Sequence, residues 1–138
     1  MTSSRKINLI LRHEEHFLGT YHVNRLPQFP LEFPRSFIIL TNNHWVAVNL
    51  VNERECIYFD SFGELIKDEK LILYLSIHYK YVTISRLKIQ DNNSVKCAQF
   101  CMAFIKIVSS KKSFRHFLNM FDEESCYIND LIVDAFLK

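Results

Sequence analysis

The chain is poor in the residues that interrupt structure. Two Gly and three Pro among 138 residues leave little material for flexible linkers or low-complexity tracts. No apolar run approaches the roughly 18 residues that a membrane span requires. The basic start is followed only by a short apolar stretch, Ile7 to Leu11, with no small-residue cleavage site after it, so no secretory signal is expected. A strong excess of one charge is missing too. The formal net charge is +2 and the pI about 8.3, short of the pI above about 9 of a dedicated nucleic-acid domain. Cys56, Cys97, Cys101 and Cys126 include no CxxC pair, so no zinc ribbon is suggested. Cys97 and Cys101 are four residues apart on a predicted helix, a poor geometry for a disulfide. Free thiols in a reducing, intracellular compartment are expected.

What the chain has in quantity is core material. Apolar residues make up 49% and aromatic residues 14%, with 12 Phe. That composition excludes disorder and suits one compact domain over residues 1–138. The order of elements points to α+β, with an antiparallel or mixed central sheet flanked by helices. Residues 3 to 13 read as a helix, and Phe17 to Val23 as a short extended piece. LPQFPLEFP, with Pro27, Pro30 and Pro34, excludes helix. SFIILT (36 to 41), HWVAVNLV (44 to 51) and ECIYFD (55 to 60) are β-branched and aromatic runs joined by Asn42-Asn43 and Asn52-Glu53-Arg54. They predict a three-stranded antiparallel meander, with Val48 roughly opposite Cys56. Lys67 to Tyr79 suits a helix with Leu71, Ile72, Leu75 and Tyr79 on one face, and YVTISRLKIQ (81 to 90) another strand. Helices are predicted over Cys97 to Val108, Ser113 to Met120 and Ser125 to Leu137. In the last of these, Ile128, Leu131, Ile132, Ala135 and Phe136 form the expected buried stripe.

The stretch SVKCAQFCMAF raises the chemical question. Cys97 stands in the first turn of a helix, where free N–H groups favour a thiolate, although free cysteines are also common in cores. Cys101, one turn on, reads as a core residue. His44 opens a strand, and Asp60 ends the neighbouring one. Antiparallel pairing would bring the two far ends together, and an Asp beside an imidazole fixes its tautomer and stabilises its cation. Asp60 could equally cap an Asp-Ser turn. Gln90 closes the last strand, where an amide could donate to an oxyanion; a surface glutamine is the ordinary alternative.

Taken in order, HWVAV, IYFDSFG, Gln90 seven residues before the cysteine, and CAQFC resemble the adenovirus protease (adenain) family. Its relatives include Polinton-type proteases and the SUMO- and ubiquitin-like-protein proteases. FLGTYHVNRLP favours the viral and transposon branch. The resemblance implies an adenain-like cysteine protease fold. It also implies roles: His44 as base, Asp60 as orienter, Gln90 as oxyanion donor and Cys97 as nucleophile. Trp45 and Ala98 would be substrate contacts beside a narrow cleft that accepts Gly, although a core aromatic is the ordinary reading of Trp45. Ala98 replaces the Gly that usually follows the family's cysteine, and Asn24 stands where relatives often have Asp. The implied substrates are viral or element-encoded structural precursors, cut near Gly, with the enzyme in the host nucleus or cytoplasm or packaged in the virion. The alternatives are a deubiquitinase or deSUMOylase of the same mechanism, and a protease-like binding module. No cofactor is required by the sequence. DNA or a peptide could act as activator by analogy, with Lys111, Lys112 and Arg115 in SSKKSFRH as the DNA candidates; no membrane partner is expected.

Overall fold

The computed structural model describes residues 1–138. Its elements are α1 (Ser4–Ile10), β1 (Phe17–His22), β2 (Arg35–Thr41), β3 (His44–Leu50), β4 (Glu55–Phe59), α2 (Glu69–His78), β5 (Tyr81–Ile84), α3 (Cys97–Ser109), α4 (Phe114–Leu118) and α5 (Asn129–Leu137). A short 3-10 turn, Cys126–Ile128, leads into α5. The strands form one sheet in the order β1-β2-β3-β4-β5. The central pairs β2–β3 and β3–β4 are antiparallel, and the outer pairs β1–β2 and β4–β5 are parallel. The protein is therefore α+β, a mixed five-stranded sheet with helices packed on it. No helix is long and apolar enough to cross a membrane.

Local chemistry explains the meander. Asn42 and Asn43 both take positive φ, 51° and 58°, as a two-residue hairpin turn requires and as Asn tolerates best after Gly. The β3–β4 turn is held by Asn52, whose Oδ1 accepts from the N–H groups of Arg54 and Glu55 at 2.8 and 2.9 Å, an Asx turn. β3 is buried on both faces. Its odd residues Trp45 and Ala47 join Ile38, Phe59 and α3 in one core; its even residues Val46 and Val48 join Phe37, Tyr58 and α2 in a second. Period-2 alternation thus feeds two layers from one strand. The α3 layer is a Phe cluster: Phe59, Phe104, Phe117 and Phe121 meet at centroid spacings of 5.0 to 5.6 Å. Edge-on and offset arrangements at that range add to simple burial.

Four expectations are corrected. The β3–β4 register is displaced by two residues, with Val48 opposite Tyr58 and Leu50 opposite Cys56. An even shift keeps every side chain on its face. β5 stops at Ile84 instead of running to Gln90, because the N–H groups of Ile89 and Gln90 turn to the Ser61 carbonyl at 2.9 and 3.0 Å. On α2, Leu71 and Leu75 are buried but Ile72 is exposed. On α5 the buried residues are Asn129 and Val133, while Leu131 and Ala135 face solvent. That face is set by Asn129, whose side chain bonds the carbonyls of Ile89 and Asp122 at 2.8 and 2.7 Å and the Asp122 N–H at 2.9 Å.

Candidate active site

His44 and Asp60 meet at the end of the β3–β4 pair. In the observed register Ala47 faces Phe59, so His44 and Asp60 are diagonal neighbours, within reach for a long side chain. His44 Nε2 lies 2.7 Å from Asp60 Oδ1. The same carboxylate oxygen accepts the Phe62 N–H at 2.9 Å. With Nε2 taken, Nδ1 is the nitrogen left to face the thiol of Cys97, which is close enough to raise the imidazole's pKa while its own is lowered.

The electrostatics form a chain of three. Burial lowers the His44 pKa, but hydrogen bonds and charge from Asp60 and Cys97 outweigh it and hold the imidazole up at about 9. Burial raises the Cys97 pKa, but His44 and the backbone N–H groups of Trp45 and Ala98 outweigh it, and the thiol ends below its ordinary value. No side chain caps α3 at Lys96, so the first N–H groups of the helix remain free for the sulfur. The other buried thiols lack such partners. Burial pushes Cys56 up to about 12 and Cys101 well above its usual range. Cys101 donates to the Trp45 carbonyl at 3.3 Å and is a core residue, as its spacing predicts. All four thiols are free.

The segment Asp60-Ser61-Phe62-Gly63 builds more of the site than its motif suggested. Asp60 holds the imidazole, and the Phe62 ring packs on His44 at 4.8 Å between centroids. The Ser61 carbonyl anchors Ile89 and Gln90, and its hydroxyl donates to Gln90 Oε1 at 2.5 Å. Gly63 closes the turn, its N–H on the Asp60 carbonyl at 2.8 Å. Its φ is +70°, and an added Cβ would stand 2.6 Å from the Arg86 carbonyl oxygen. Gly63→Ala should therefore destabilise the fold by about 2 kcal/mol or more, from backbone strain of about 1–3 kcal/mol plus displacement of main chain. A urea midpoint equal to that of the parent protein would refute this account of the turn.

Gln90 is buried and belongs to the same network. Its Nε2 donates to the carbonyl and hydroxyl oxygens of Ser94 at 3.1 and 3.2 Å. The Ser94 hydroxyl also accepts the Lys96 N–H at 3.1 Å and donates to Asp130 Oδ1 at 2.7 Å. Gln90 thus stands one shared oxygen away from the residue that precedes Cys97. Ser61, Phe62, Ser94 and Asp130 were not singled out in the sequence. Phe62 and Ser61 lay within a noted motif, but nothing local marks Asp130, 36 residues from its partner.

A cleft of about 310 Å³ is lined by His44, Asp60, Phe62, Val46, Tyr58 and Leu71 among others. It opens on the α2 side of the sheet, whereas Cys97 belongs to the α3-side core. Trp45 and Ala98 are both buried and form part of the core, not a substrate wall. The tight packing of β3 beneath α3 claims both side chains, and what they present to Cys97 is their backbone N–H. Lys111 and Lys112 lie apart from the site, on a larger cavity with Asn49, Glu55 and Tyr81; Arg115 is exposed on α4. No three His, Cys, Asp or Glu side chains cluster closely enough to hold a metal ion. No model of a known protein family matches the chain, and no curated protein matches it in sequence.

Proposed function

We propose that the protein is a cysteine endopeptidase, with an adenain-like arrangement in which the histidine precedes the cysteine in the chain. One observation carries the reading. A single imidazole is held by Asp60 at 2.7 Å and coupled electrostatically to a thiol whose pKa it lowers. In this mechanism the resting state is a Cys97 thiolate beside a His44 imidazolium. The sulfur attacks a peptide carbonyl carbon, a C–S bond forms, and the π pair moves to oxygen. The Cys97 N–H and the Gln90 amide stabilise that oxyanion. As the C–N bond breaks, His44 gives its proton to the leaving amine. Water, with His44 as base, then adds to the thioester and releases the acid and the thiolate.

Polypeptide substrates cut beside Gly, from viral or element-encoded precursors, remain the proposed class. Cleavage of a ubiquitin-like protein after Gly-Gly, with precursors left intact, would instead favour the isopeptidase alternative. DNA activation rests on the exposed Lys111, Lys112 and Arg115 alone.

The direct test is thiol chemistry. Iodoacetamide should alkylate Cys97 below pH 7 much faster than Cys56, Cys101 or Cys126, because the Cys97 pKa is lowered while burial raises those of Cys56 and Cys101. Hydrolysis should fall on the alkaline side as pH rises through about 9, where His44 loses the proton that the amine needs. Equal labelling of all four cysteines at pH 6.5, mapped by mass spectrometry, would defeat the proposal.

A further inference from the structure

We infer that Asp130 of α5 is a positioning residue, acting through Ser94 to aim the Gln90 side-chain amide; this deepens the protease reading and rests on it. A glutamine amide has nearly the same shape in either orientation, so its neighbours decide which end points where. Here the deciding groups form a line. A carboxylate can only accept, so the single hydroxyl proton of Ser94 goes to Asp130 Oδ1 at 2.7 Å. The Ser94 oxygen is then left as an acceptor, for the Lys96 N–H at 3.1 Å and for Gln90 Nε2 at 3.2 Å. The Ser94 carbonyl favours the same end of the amide at 3.1 Å. At the other end, the Ser61 hydroxyl donates to Oε1. Gln90 is 1% exposed, so solvent cannot compensate a reversed amide, and an unpaired polar group there is costly.

Without the carboxylate, both hydroxyls on the Gln90 amide could reverse. Ser94 could donate to Oε1, and Ser61 could accept from Nε2. The donor that should face an oxyanion would then be replaced, part of the time, by an acceptor. The Ser94 carbonyl still opposes that reversal, so the loss should be partial.

The same helix also fixes where the amide sits. The Cys126 thiol, in the turn before α5, donates to the Lys88 carbonyl at 3.3 Å, and Asn129 binds the Ile89 carbonyl. Asp134 pairs with Lys96 at 3.1 Å. Cys126 stands just before α5, and residues 129, 130 and 134 lie along it. They tie down both ends of the loop that runs from Gln90 to Cys97.

The test separates the thiolate from the oxyanion. A peptide aldehyde ending in Gly-glycinal reports the oxyanion: Sγ adds to the aldehyde carbon, the π pair moves to oxygen, and that oxygen takes the proton held by His44. Iodoacetamide reports the thiolate alone. Asp130→Asn should weaken aldehyde inhibition by about tenfold, less than the roughly 10²–10³ of a full donor loss in Gln90→Ala. Its rate of Cys97 alkylation should stay within about twofold of the parent protein. In the Gln90→Ala background Asp130→Asn should add less than about twofold, since the group it acts on is gone. Ser94→Ala, which cuts the same link, should reproduce the tenfold loss and not add to that of Asp130→Asn.

Equal losses from Asp130→Asn in both backgrounds would overturn the inference. So would a parallel fall in alkylation, which is the mark of a merely structural role, or the absence of any loss in Gln90→Ala. In each of those cases the protease reading stands. If the parent protein reacts selectively with neither reagent at Cys97, that reading fails and takes this inference with it.

Discussion

Cys97→Ala should abolish the proposed hydrolysis, by at least about 10⁴-fold, and leave the protein folded. In the proposed mechanism every step after substrate binding runs through that sulfur, and none of the other thiols is placed to stand in. Cys101 is buried on the same helix with its pKa raised, and Cys56 lies on the far side of the sheet with a pKa of about 12. The structural cost should be small. The change removes one atom from a buried position, which at about 0.5–1.5 kcal/mol resembles the loss of a methyl group. His44 keeps Asp60 as its partner, so no charge is left alone. A second readout follows from the same pair. Part of the rise in the His44 pKa comes from Cys97, so its NMR titration should move below about 9 in the variant. Proteolysis within tenfold of the parent protein, or an unmoved titration, would remove Cys97 from the chemistry.

The second large effect is expected at the carboxylate. Asp60→Asn should lower kcat/KM by about 10³–10⁴, the scale set by loss of the orienting carboxylate in a serine protease triad. Asn has almost the same shape, and its Oδ1 can still accept the Phe62 N–H that Asp60 accepts at 2.9 Å. The turn should therefore survive while the negative charge goes. That charge and its hydrogen bond are the larger part of what holds His44 up against burial, Cys97 supplying the rest. The sign follows directly. With them removed, burial lowers the imidazole pKa, the alkaline limb of the rate profile moves to lower pH, and Cys97 loses part of the cation that favours its thiolate. Rate–pH profiles and alkylation rates of the two proteins give both quantities. A loss under tenfold with the alkaline limb unmoved would mean that Asp60 only caps its turn.

The candidate site was legible to the extent that its residues lie at the ends of regular elements. His44, Asp60 and Cys97 each open or close a strand or helix that periodicity and turn chemistry predict. Gln90 was legible only through the resemblance, since its strand ends six residues earlier, at Ile84. Trp45 and Ala98 lie in the core, as the ordinary reading of Trp45 expects; a side chain beside a candidate site residue reads the same in sequence whether it faces a cleft or a core. The buried face of α5 is not legible in the sequence because Asn129 looks polar, and only three converging backbone groups make its burial favourable.

The amino-acid sequence alone determined the strands, the two Asn-bearing turns, the start of α3 and hence the ends where His44, Asp60 and Cys97 would stand. Those features depend on neighbours a few residues apart, through backbone preference and apolar period. The tertiary structure decided the β3–β4 register, the approach of Cys97 to His44 across a sequence separation of 53 residues, and the burial of Ser61, Gln90 and Asn129. These depend on which distant groups desolvate and bond one another. That balance exists only once α3 and α5 have closed over the sheet.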